Sequence, residues 1–473
     1  MTHSKNILIV LMVIVFLGLA LIISSCTKQT IQGKCADGVC DDTESCTSCP
    51  SDCESCLVTN GDNPTSGESH FGIGIHAESS NYNSAILEIG NVYVRLNFGM
   101  DAFGWKKVKG SDTSRAECRS CCDPAISKTC NCETGSFYYC TPDSRDNRIT
   151  GEYNADTFYS YNHDILFSVW PSLYGENEPK SLEDLLSLEY PANEGTYKDY
   201  IKYLVEQYPN VKYWEVGNEA DNPRFWGDTA VNYARLVTLT YNEVKRYCPD
   251  CRVGISLVKP DAPTEWFNEI IKVCDDIDFL DLHHYVNNMD KLEDAERGQL
   301  TRWKNSCPGA EIISTETGIP SAPTTFKDVT WELGTTETAQ AQDIIKYFTI
   351  MFNAGYSKIY NYVVDHDDVS GMADPWESIG ILDKNGRKKI SFGTYQLMIE
   401  KLDYFTSIAK LADGQYKYTF SNKEPIYVLW CGTRNCSLPP EISGQVAVTD
   451  FLGKEDLLDA NQITLTGSPL FVQ

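Results

Sequence analysis

Positive charge is scarce in this sequence of 473 residues. It contains 40 Lys and Arg against 66 Asp and Glu, so the formal net charge at pH 7 is −26. A surface of that sign repels nucleic acid, anionic lipid and acidic glycans. The charge therefore argues against a nucleic-acid partner and favours a neutral ligand.

The longest apolar run is shorter than the roughly 20 residues that are typical of a membrane-spanning helix. The run at the start of the chain extends from Ile7 to Ile23, after Lys5 and before small residues and Cys26, which is the pattern of an export signal. The segment ISSC resembles a lipobox, in which Cys26 would be cut free, lipidated and left as the mature N-terminus. An uncleaved signal anchor is the alternative, because about 17 apolar residues are the lower limit for crossing a bilayer. Both predict an extracytoplasmic protein held at the cell membrane.

Cysteine, in contrast, is abundant, and the 19 cysteines indicate an oxidising compartment. Six of them fall in residues 35–56, where almost no apolar residue is available for a core. Disulfides must hold this stretch, with a metal as the alternative. It resembles short cysteine-rich modules of prokaryotic surface proteins. We divide this part of the chain into a signal or anchor (1–26), a Cys-rich segment (27–57) and a polar linker (58–70).

The region 71–402 alternates short apolar runs with amphipathic helical patterns, which is typical of successive βα units. No Gly-rich phosphate loop follows its early runs, which weakens the alternative of an open, doubly wound sheet. Eight units suggest instead an α/β fold, a closed (β/α)8 or TIM barrel. The predicted strands are Phe71–Ile75, Val92–Leu96, Ile165–Val169, Tyr213–Val216, Val253–Leu257, Phe279–Leu282, Ile312–Ser314 and Lys358–Val363.

Residues 403–473 change to alternating segments separated by turn residues, which predicts a small C-terminal antiparallel β-domain.

Six cysteines between Cys118 and Cys140 follow the second strand, where disulfides are favoured over a metal. Three further disulfides are predicted: Cys274 with Cys307, Cys248 with Cys251, and Cys431 with Cys436.

Two glutamates stand at the ends of the fourth and seventh predicted strands. Glu219 follows the fourth in YWEVGNEADNPRFW, and Glu316 ends the seventh in EIISTETG. In a barrel these two strand ends face each other across the mouth. Retaining glycoside hydrolysis requires two carboxyl groups about 5 to 5.5 Å apart, one to attack the anomeric carbon and one to protonate the leaving oxygen. The strand count and the carboxylates point to the same chemistry.

The first motif resembles the Asn-Glu motif of clan A retaining glycoside hydrolases, a barrel superfamily that includes β-glucosidases, β-xylosidases, endoglucanases and mannanases. The resemblance implies that Glu219 is the acid/base and that Asn218 holds the sugar hydroxyl beside the reacting carbon. EIISTETG is similar to the clan's nucleophile strand, which implies that Glu316 is the nucleophile.

DFLDLHHY resembles the sixth strand of the clan, with a His-x-Tyr pair that maps to His283 and Tyr285. Tyr285 would then donate a hydrogen bond to the nucleophile and keep its pKa low. Arg95, in VYVRLNF, matches an arginine that the clan often has near the nucleophile. The alternative for His283 and Tyr285 is a hydrogen-bonded pair in the core, and the alternative for Arg95 is a structural ion pair. The candidates for stacking on sugar rings are Trp170, Trp226 and Trp376. Simple packing is the alternative for each of them.

The expected function is retaining hydrolysis of β-glycosides in extracellular poly- or oligosaccharide, through a glycosyl-enzyme intermediate and without a metal or cofactor. Glu219 must be protonated near neutral pH, so we expect an apolar surface or a second negative charge beside it. A non-catalytic carbohydrate-binding or adhesion protein and a transglycosylase are the alternatives. The sequence does not identify the sugar, the linkage or the oligomeric state.

Overall fold

The computed structural model describes most of the chain from residue 68 onward, within the unit Ser66–Gln473. Cys26, the two six-cysteine segments and Trp376 lie outside the described residues. The described residues are 68–75, 80–90, 92–99, 105–106, 138–139, 164–171, 189–191, 194–223, 225–289, 292–323, 325–326, 329–364, 378–383, 385–432 and 436–473.

Eight parallel strands close into a barrel in the order β1-β8-β7-β6-β5-β4-β3-β2. Each predicted strand is present, which confirms the (β/α)8 barrel over the open sheet. β7 extends three residues beyond its predicted end at Ser314, so Glu316 lies on the strand itself. The strands are β1 Phe71–Gly74, β2 Tyr93–Gly99, β3 Ile165–Trp170, β4 Tyr213–Val216, β5 Arg252–Leu257, β6 Phe279–Leu282, β7 Glu311–Thr317 and β8 Lys358–Asn361.

Helices surround the barrel and turn an apolar face towards it. Thr229 caps the helix that begins at Ala230 by accepting a hydrogen bond from the backbone N–H of Asn232. The helices are α1 Ser80–Ile89, α2 Glu194–Gln207, α3 Ala230–Tyr247, α4 Thr264–Ile270, α5 Leu292–Ser306, α6 Glu337–Ala354 and α7 Ile390–Leu402, and two 3₁₀ turns cover Ile271–Asp276 and Ala460–Gln462. Short strand pairs join Trp105–Lys106 to Tyr138–Tyr139 and Thr325–Phe326 to Val329–Thr330.

Buried side chains from six strands fill the barrel interior below the mouth. A Cβ at Gly72 would lie 2.3 Å from the ring of Tyr360, and one at Gly254 would lie 2.3 Å from the ring of Phe279. The two glycines therefore make room for large rings on neighbouring strands. The cluster consists of Tyr93, Leu166, Tyr213, Phe279, Ile313 and Tyr360.

The C-terminal residues form the predicted antiparallel sheet, in the order β9-β10-β11-β14-β12-β13. One face packs on the barrel, where the hydroxyl group of Tyr418 lies 3.1 Å from that of Thr349 in α6. The other face has a small core of its own around Leu429 and Val472. The strands are β9 Ser407–Ala412, β10 Gln415–Thr419, β11 Ile426–Leu429, β12 Gln445–Asp450, β13 Glu455–Asp459 and β14 Leu470–Val472.

Three disulfides confirm the pairings predicted for the described cysteines: Cys248–Cys251, Cys274–Cys307 and Cys431–Cys436. The second joins the segments before β6 and β7, at the end of the barrel opposite the strand ends that carry the two glutamates. Among the described helices, none combines the length and the apolar character needed to span a membrane.

Candidate active site

The turn after β4 carries Glu219 in an unusual backbone conformation. Gly217 has a φ of 73°, and Glu219 has a φ of 44°, in the left-handed region that side chains other than glycine rarely adopt. Hydrogen bonds hold the turn: the N–H of Gly217 donates to the carbonyl of Val169, and the N–H of Glu219 donates to Ser256 Oγ at 3.2 Å. Such strain is concentrated at functional sites, where the surrounding structure maintains it.

The structure brings Glu219 and Glu316 together at the C-terminal end of the barrel. Three atoms lie within 4.8 Å of one another: a carboxylate oxygen of Glu219, a carboxylate oxygen of Glu316 and a ring nitrogen of His283. The side chains of Glu219 and Glu316 are 15% and 10% exposed, so both groups are largely buried but still accessible. The two glutamates therefore present a pair of neighbouring carboxylates at the mouth of the barrel.

Arg95 on β2 connects the two glutamate motifs. Its guanidinium forms ion pairs with Glu316 and with Glu215, the latter through Nε at 3.0 Å. Nη2 also donates to Asn218 Oδ1 at 2.8 Å. Arg95 is 2% exposed, and the neighbouring carboxylates raise its pKa against the effect of burial. The guanidinium therefore aligns the carboxylate of Glu316 with the side chain of Asn218.

His283 and Tyr285 follow β6 and contact the two glutamates. His283 Nδ1 lies 3.0 Å from Glu219 Oε1 and 3.5 Å from Glu316 Oε2. The hydroxyl group of Tyr285 donates to Glu316 Oε2 at 3.4 Å, a long hydrogen bond. Burial and the charge of Glu316 raise the pKa of Tyr285 well above its usual value, so it is a hydrogen-bond donor at neutral pH.

A buried polar layer lies beneath these residues, and the sequence motifs did not single it out. Glu215 and Asp281 are both fully buried, and Thr315 donates its hydroxyl to Asp281 at 2.7 Å. Burial raises the pKa of Glu215 to about 8 in spite of Arg95, because Asp281 also opposes its ionisation. The available signal was an acidic residue inside each of the apolar runs YWEV and FLDL, since buried acids need charged or hydrogen-bonding partners.

The pKa of Glu219 in the free protein shifts in the direction opposite to the one that its expected role requires. Burial opposes its ionisation, but the hydrogen bond and the charge of His283 outweigh burial and lower the pKa of Glu219 below its usual value. The expected features are present, since Glu219 is largely buried and Glu316 lies close to it, but the contacts with His283 outweigh them. The proton is instead held on His283, whose pKa is raised well above its usual value because Glu316 and Asp281 outweigh the effect of burial.

Comparison with known proteins identifies the fold. No family model and no curated protein matches the sequence. Among solved structures, the chain is similar to a family 39 glycoside hydrolase from Bacteroides cellulosilyticus (TM-score 0.56, 15% identity, 85% of this chain and 80% of that one). It is also similar to a glucosidase from Croceicoccus marinus (0.53, 14%, 86% and 95%) and to SrfJ from Salmonella typhimurium (0.53, 11%, 86% and 89%).

The chain has the barrel fold of clan A glycoside hydrolases. At identities of 11% to 15% these likenesses establish the fold alone. The barrel architecture that the resemblance of the two glutamate motifs implies is thus confirmed.

The glycosidase-like barrel also holds a set of atoms with the spacing of a metal site, formed by Glu219, His283 and Glu316. Their chemistry does not suit a cation. A histidine must lose its proton to bind a metal, whereas the surrounding carboxylates favour the protonated imidazole of His283. Glu316 is already paired with the guanidinium of Arg95. These charges favour a hydrogen-bonded acid–base network over a metal centre.

The tryptophans predicted to stack on sugar differ in their exposure. Trp170, at the end of β3, is half-buried and contacts the ring of Phe225 edge-on at 6.4 Å. Trp226 is 4% exposed and packs edge-on against Tyr233, which agrees with the packing alternative. Trp376 lies outside the described residues.

Proposed function

We propose that the protein is a retaining β-glycoside hydrolase that acts on extracellular oligo- or polysaccharide. Glu316 is the nucleophile and Glu219 the acid/base. The observation that supports this proposal best is the approach of the two carboxylates to within 4.8 Å at the C-terminal mouth of the barrel. A spacing of this order is closer to the about 5 to 5.5 Å of retaining enzymes than to the about 6.5 to 9.5 Å of inverting ones.

In the first step, an oxygen of Glu316 attacks the anomeric carbon while the glycosidic C–O bond breaks. The leaving oxygen takes a proton from Glu219, and a covalent glycosyl-enzyme forms. Arg95, already paired with Glu316, keeps the attacking carboxylate in position. The hydroxyl group of Tyr285 donates to the other oxygen of Glu316.

In the second step, Glu219 acts as a base and removes a proton from water, whose oxygen attacks the anomeric carbon and releases Glu316. Two inversions give a product with the configuration of the substrate. Asn218 contributes to binding: its Oδ1 accepts from Arg95, and we assign its amide NH₂ group to a sugar hydroxyl beside the reacting carbon. Trp170 supplies a half-exposed ring at the mouth for the face of a sugar.

We also propose that the protein is exported and held at the cell membrane by its N-terminal segment. The apolar run before Cys26 and the disulfides of the barrel support this location, because disulfides persist in oxidising compartments. A substrate outside the cell and the strongly negative net charge agree with a neutral polysaccharide as the partner.

The test uses the full-length chain in mild detergent with a panel of 4-nitrophenyl β-glycosides and β-linked oligosaccharides. We expect Glu219→Ala to lower kcat on poor leaving groups by about 10²- to 10⁴-fold, the usual contribution of a general acid/base. Glu316→Ala should abolish turnover because no glycosyl-enzyme can form. Glu206→Gln, on the exposed surface of α2, is the matched control and should retain full activity.

Azide distinguishes the two roles. With Glu219→Ala, azide should attack the glycosyl-enzyme and give a β-glycosyl azide, whereas with Glu316→Ala it should replace the nucleophile and give an α-glycosyl azide. Proton NMR of the products reads the anomeric configuration. Inversion by the wild-type chain would refute the proposal. A chain that binds glycans without cleaving any substrate would be an adhesion protein, and elongated products would identify a transglycosylase.

A further inference from the structure

Three polar side chains in contact form a line from the mouth of the barrel into its wall. Glu219 Oε1 lies 3.0 Å from His283 Nδ1, and His283 Nε2 lies 2.9 Å from Asp281 Oδ2. His283 and Asp281 are both 0% exposed. Each ring nitrogen of the histidine thus faces a carboxylate, one at the reacting end of the site and one buried behind it.

Thr315 fixes the buried carboxylate. Its backbone N–H donates to Asp281 Oδ1 at 2.6 Å, and its hydroxyl donates to Oδ2 at 2.7 Å. Both oxygens of Asp281 are therefore held, and the side chain cannot turn away from His283. The other groups near Nε2, Ser256 Oγ and Thr315 Oγ1, lie farther away at 3.3 and 3.2 Å.

This arrangement decides which ring nitrogen exchanges its proton. An ionised carboxylate only accepts hydrogen bonds, so Asp281 requires a hydrogen on Nε2 of His283 in both the charged and the neutral ring. Nδ1 is then the nitrogen that can release a proton and take it back, and it faces Glu219. Buried carboxylates commonly fix the tautomer of a histidine in this way.

The charges around His283 favour a stored proton. Five carboxyl groups interact with the charge of the ring. Asp281 itself stays ionised, because the charge of His283 and its hydrogen bond outweigh burial and lower the pKa of Asp281. They are Glu215, Glu219 and Asp221 from β4 and the turn after it, Asp281 from β6 and Glu316 from β7.

We propose that Asp281 is a positioning residue that keeps Nδ1 of His283 as a reversible proton store for Glu219. The role rests on the hydrolase function proposed above. In the free enzyme the pair holds one proton, on Nδ1. When substrate binds, the proton passes from Nδ1 to Glu219, the N–H bond breaks and neutral His283 keeps the hydrogen on Nε2.

The proton is conserved over the catalytic cycle. Glu219 gives it to the leaving glycosidic oxygen in the first step, and in the second step Glu219 takes a proton from the attacking water. That proton returns to Nδ1, which restores the starting state. No oxidant, reductant or co-reactant other than water is consumed. This store explains how a carboxyl group whose pKa is lowered in the free protein can serve as an acid.

The first experiment observes the ring directly, by ¹⁵N NMR of the full-length chain with labelled histidine in detergent. The signal of His283 is assigned among the seven histidines by comparison with His283→Gln. We expect Nδ1 to lose its proton first as the pH rises, while Nε2 keeps its own. In Asp281→Asn this loss should occur at a lower pH by about one unit, because a neighbouring negative charge is removed. Asp275→Asn, an exposed neighbour, is the matched control.

The second experiment compares two leaving groups. Asp281→Asn should lower kcat/KM about tenfold for an alkyl β-glycoside that needs protonation and change it little for the 2,4-dinitrophenyl glycoside that does not. The alkaline limb of the pH profile should shift to lower pH. A purely structural role for Asp281 would lower both rates equally and leave the limb in place.

Three results overturn the proposal: Nε2 releases its proton before Nδ1, neither nitrogen releases one below about pH 10, or the titration is the same in folded Asp281→Asn. The first two are read from the wild-type chain and need no folded variant. If the wild-type chain cleaves no glycoside, the hydrolase proposal fails, while the NMR result still decides which nitrogen Asp281 controls.

Discussion

At the scale of single residues, the site depends on charges that the fold buries. Glu215 lies four positions before Glu219 and is fully buried between Arg95 and Thr315. Because its pKa is raised to about 8, Glu215 is mostly protonated at neutral pH, and its Oε2 accepts hydrogen bonds from the guanidinium of Arg95. We interpret Glu215 as the group that orients Arg95, which in turn positions Glu316.

The raised pKa of Glu215 predicts a pH dependence of stability. The folded chain binds a proton at this group up to about pH 8, whereas the unfolded chain releases it at about pH 4.3. Because the folded state binds more protons in this window, Glu215 makes the chain less stable as the pH rises. We expect the urea midpoint to fall more steeply from pH 5 to pH 8 in the wild type than in Glu215→Gln. Parallel slopes, with Glu206→Gln as the reference, would contradict this assignment.

At the scale of elements, the strands of the barrel bring together residues that are distant in sequence. Arg95 on β2 meets Glu316 on β7, and Asp281 on β6 meets Thr315 on β7, because the parallel strands place equivalent positions at one level. The opposite end of the barrel is stabilised separately, and Cys274–Cys307 ties the segments before β6 and β7 there. Stability and chemistry are thus assigned to different ends of the same strands.

The Cys274–Cys307 bond should stabilise the barrel without affecting the reaction. It spans 33 residues, so its loss through the double change Cys274→Ser and Cys307→Ser should cost about 2–4 kcal/mol by relaxing the unfolded chain. The matched pair Cys248→Ser and Cys251→Ser opens a separation of 3 residues and should cost about half as much or less. Urea midpoints measure both, and kcat on a glycoside should be unchanged. A larger loss from the shorter loop would contradict the entropic argument.

At the scale of the whole molecule, the barrel and its C-terminal sheet belong to a chain with a formal net charge of −26. The sheet packs on α6 through Tyr418, which supports a structural role for the tail. A surface of this charge does not steer acidic glycans towards the mouth, so a neutral substrate agrees with the molecule as a whole.

The N-terminal segment predicts how the chain is retained. If Cys26 carries lipid, the full-length chain expressed in a bacterial host should partition into the detergent phase of Triton X-114, and mass spectrometry should find the mature chain starting at a modified Cys26. Cys26→Ser should block cleavage and leave a heavier chain. A wild-type chain with an unmodified, uncleaved N-terminus in the detergent phase would favour the signal anchor, and partition into the aqueous phase would refute both anchors.

Much of the architecture followed from the sequence. The alternation of apolar runs and helical patterns is a local property, so it predicted the eight strands, and the strand count predicted the closed barrel. The motifs around Glu219 and Glu316 placed both carboxylates at strand ends for the same reason. The pairing of Cys274 with Cys307 was also predictable, because each precedes a neighbouring strand.

The electrostatic state of the site was decided only by the tertiary structure. A pKa depends on burial and on charges from several strands, and sequence spacing does not report which of them converge on one atom. His283 lowers the pKa of Glu219, contrary to the expectation from its role, and Asp281 drew no attention within the run FLDL. The sequence by itself determined the barrel and the positions of its two glutamates, whereas the proton on His283 depends on contacts that exist only after the barrel has closed.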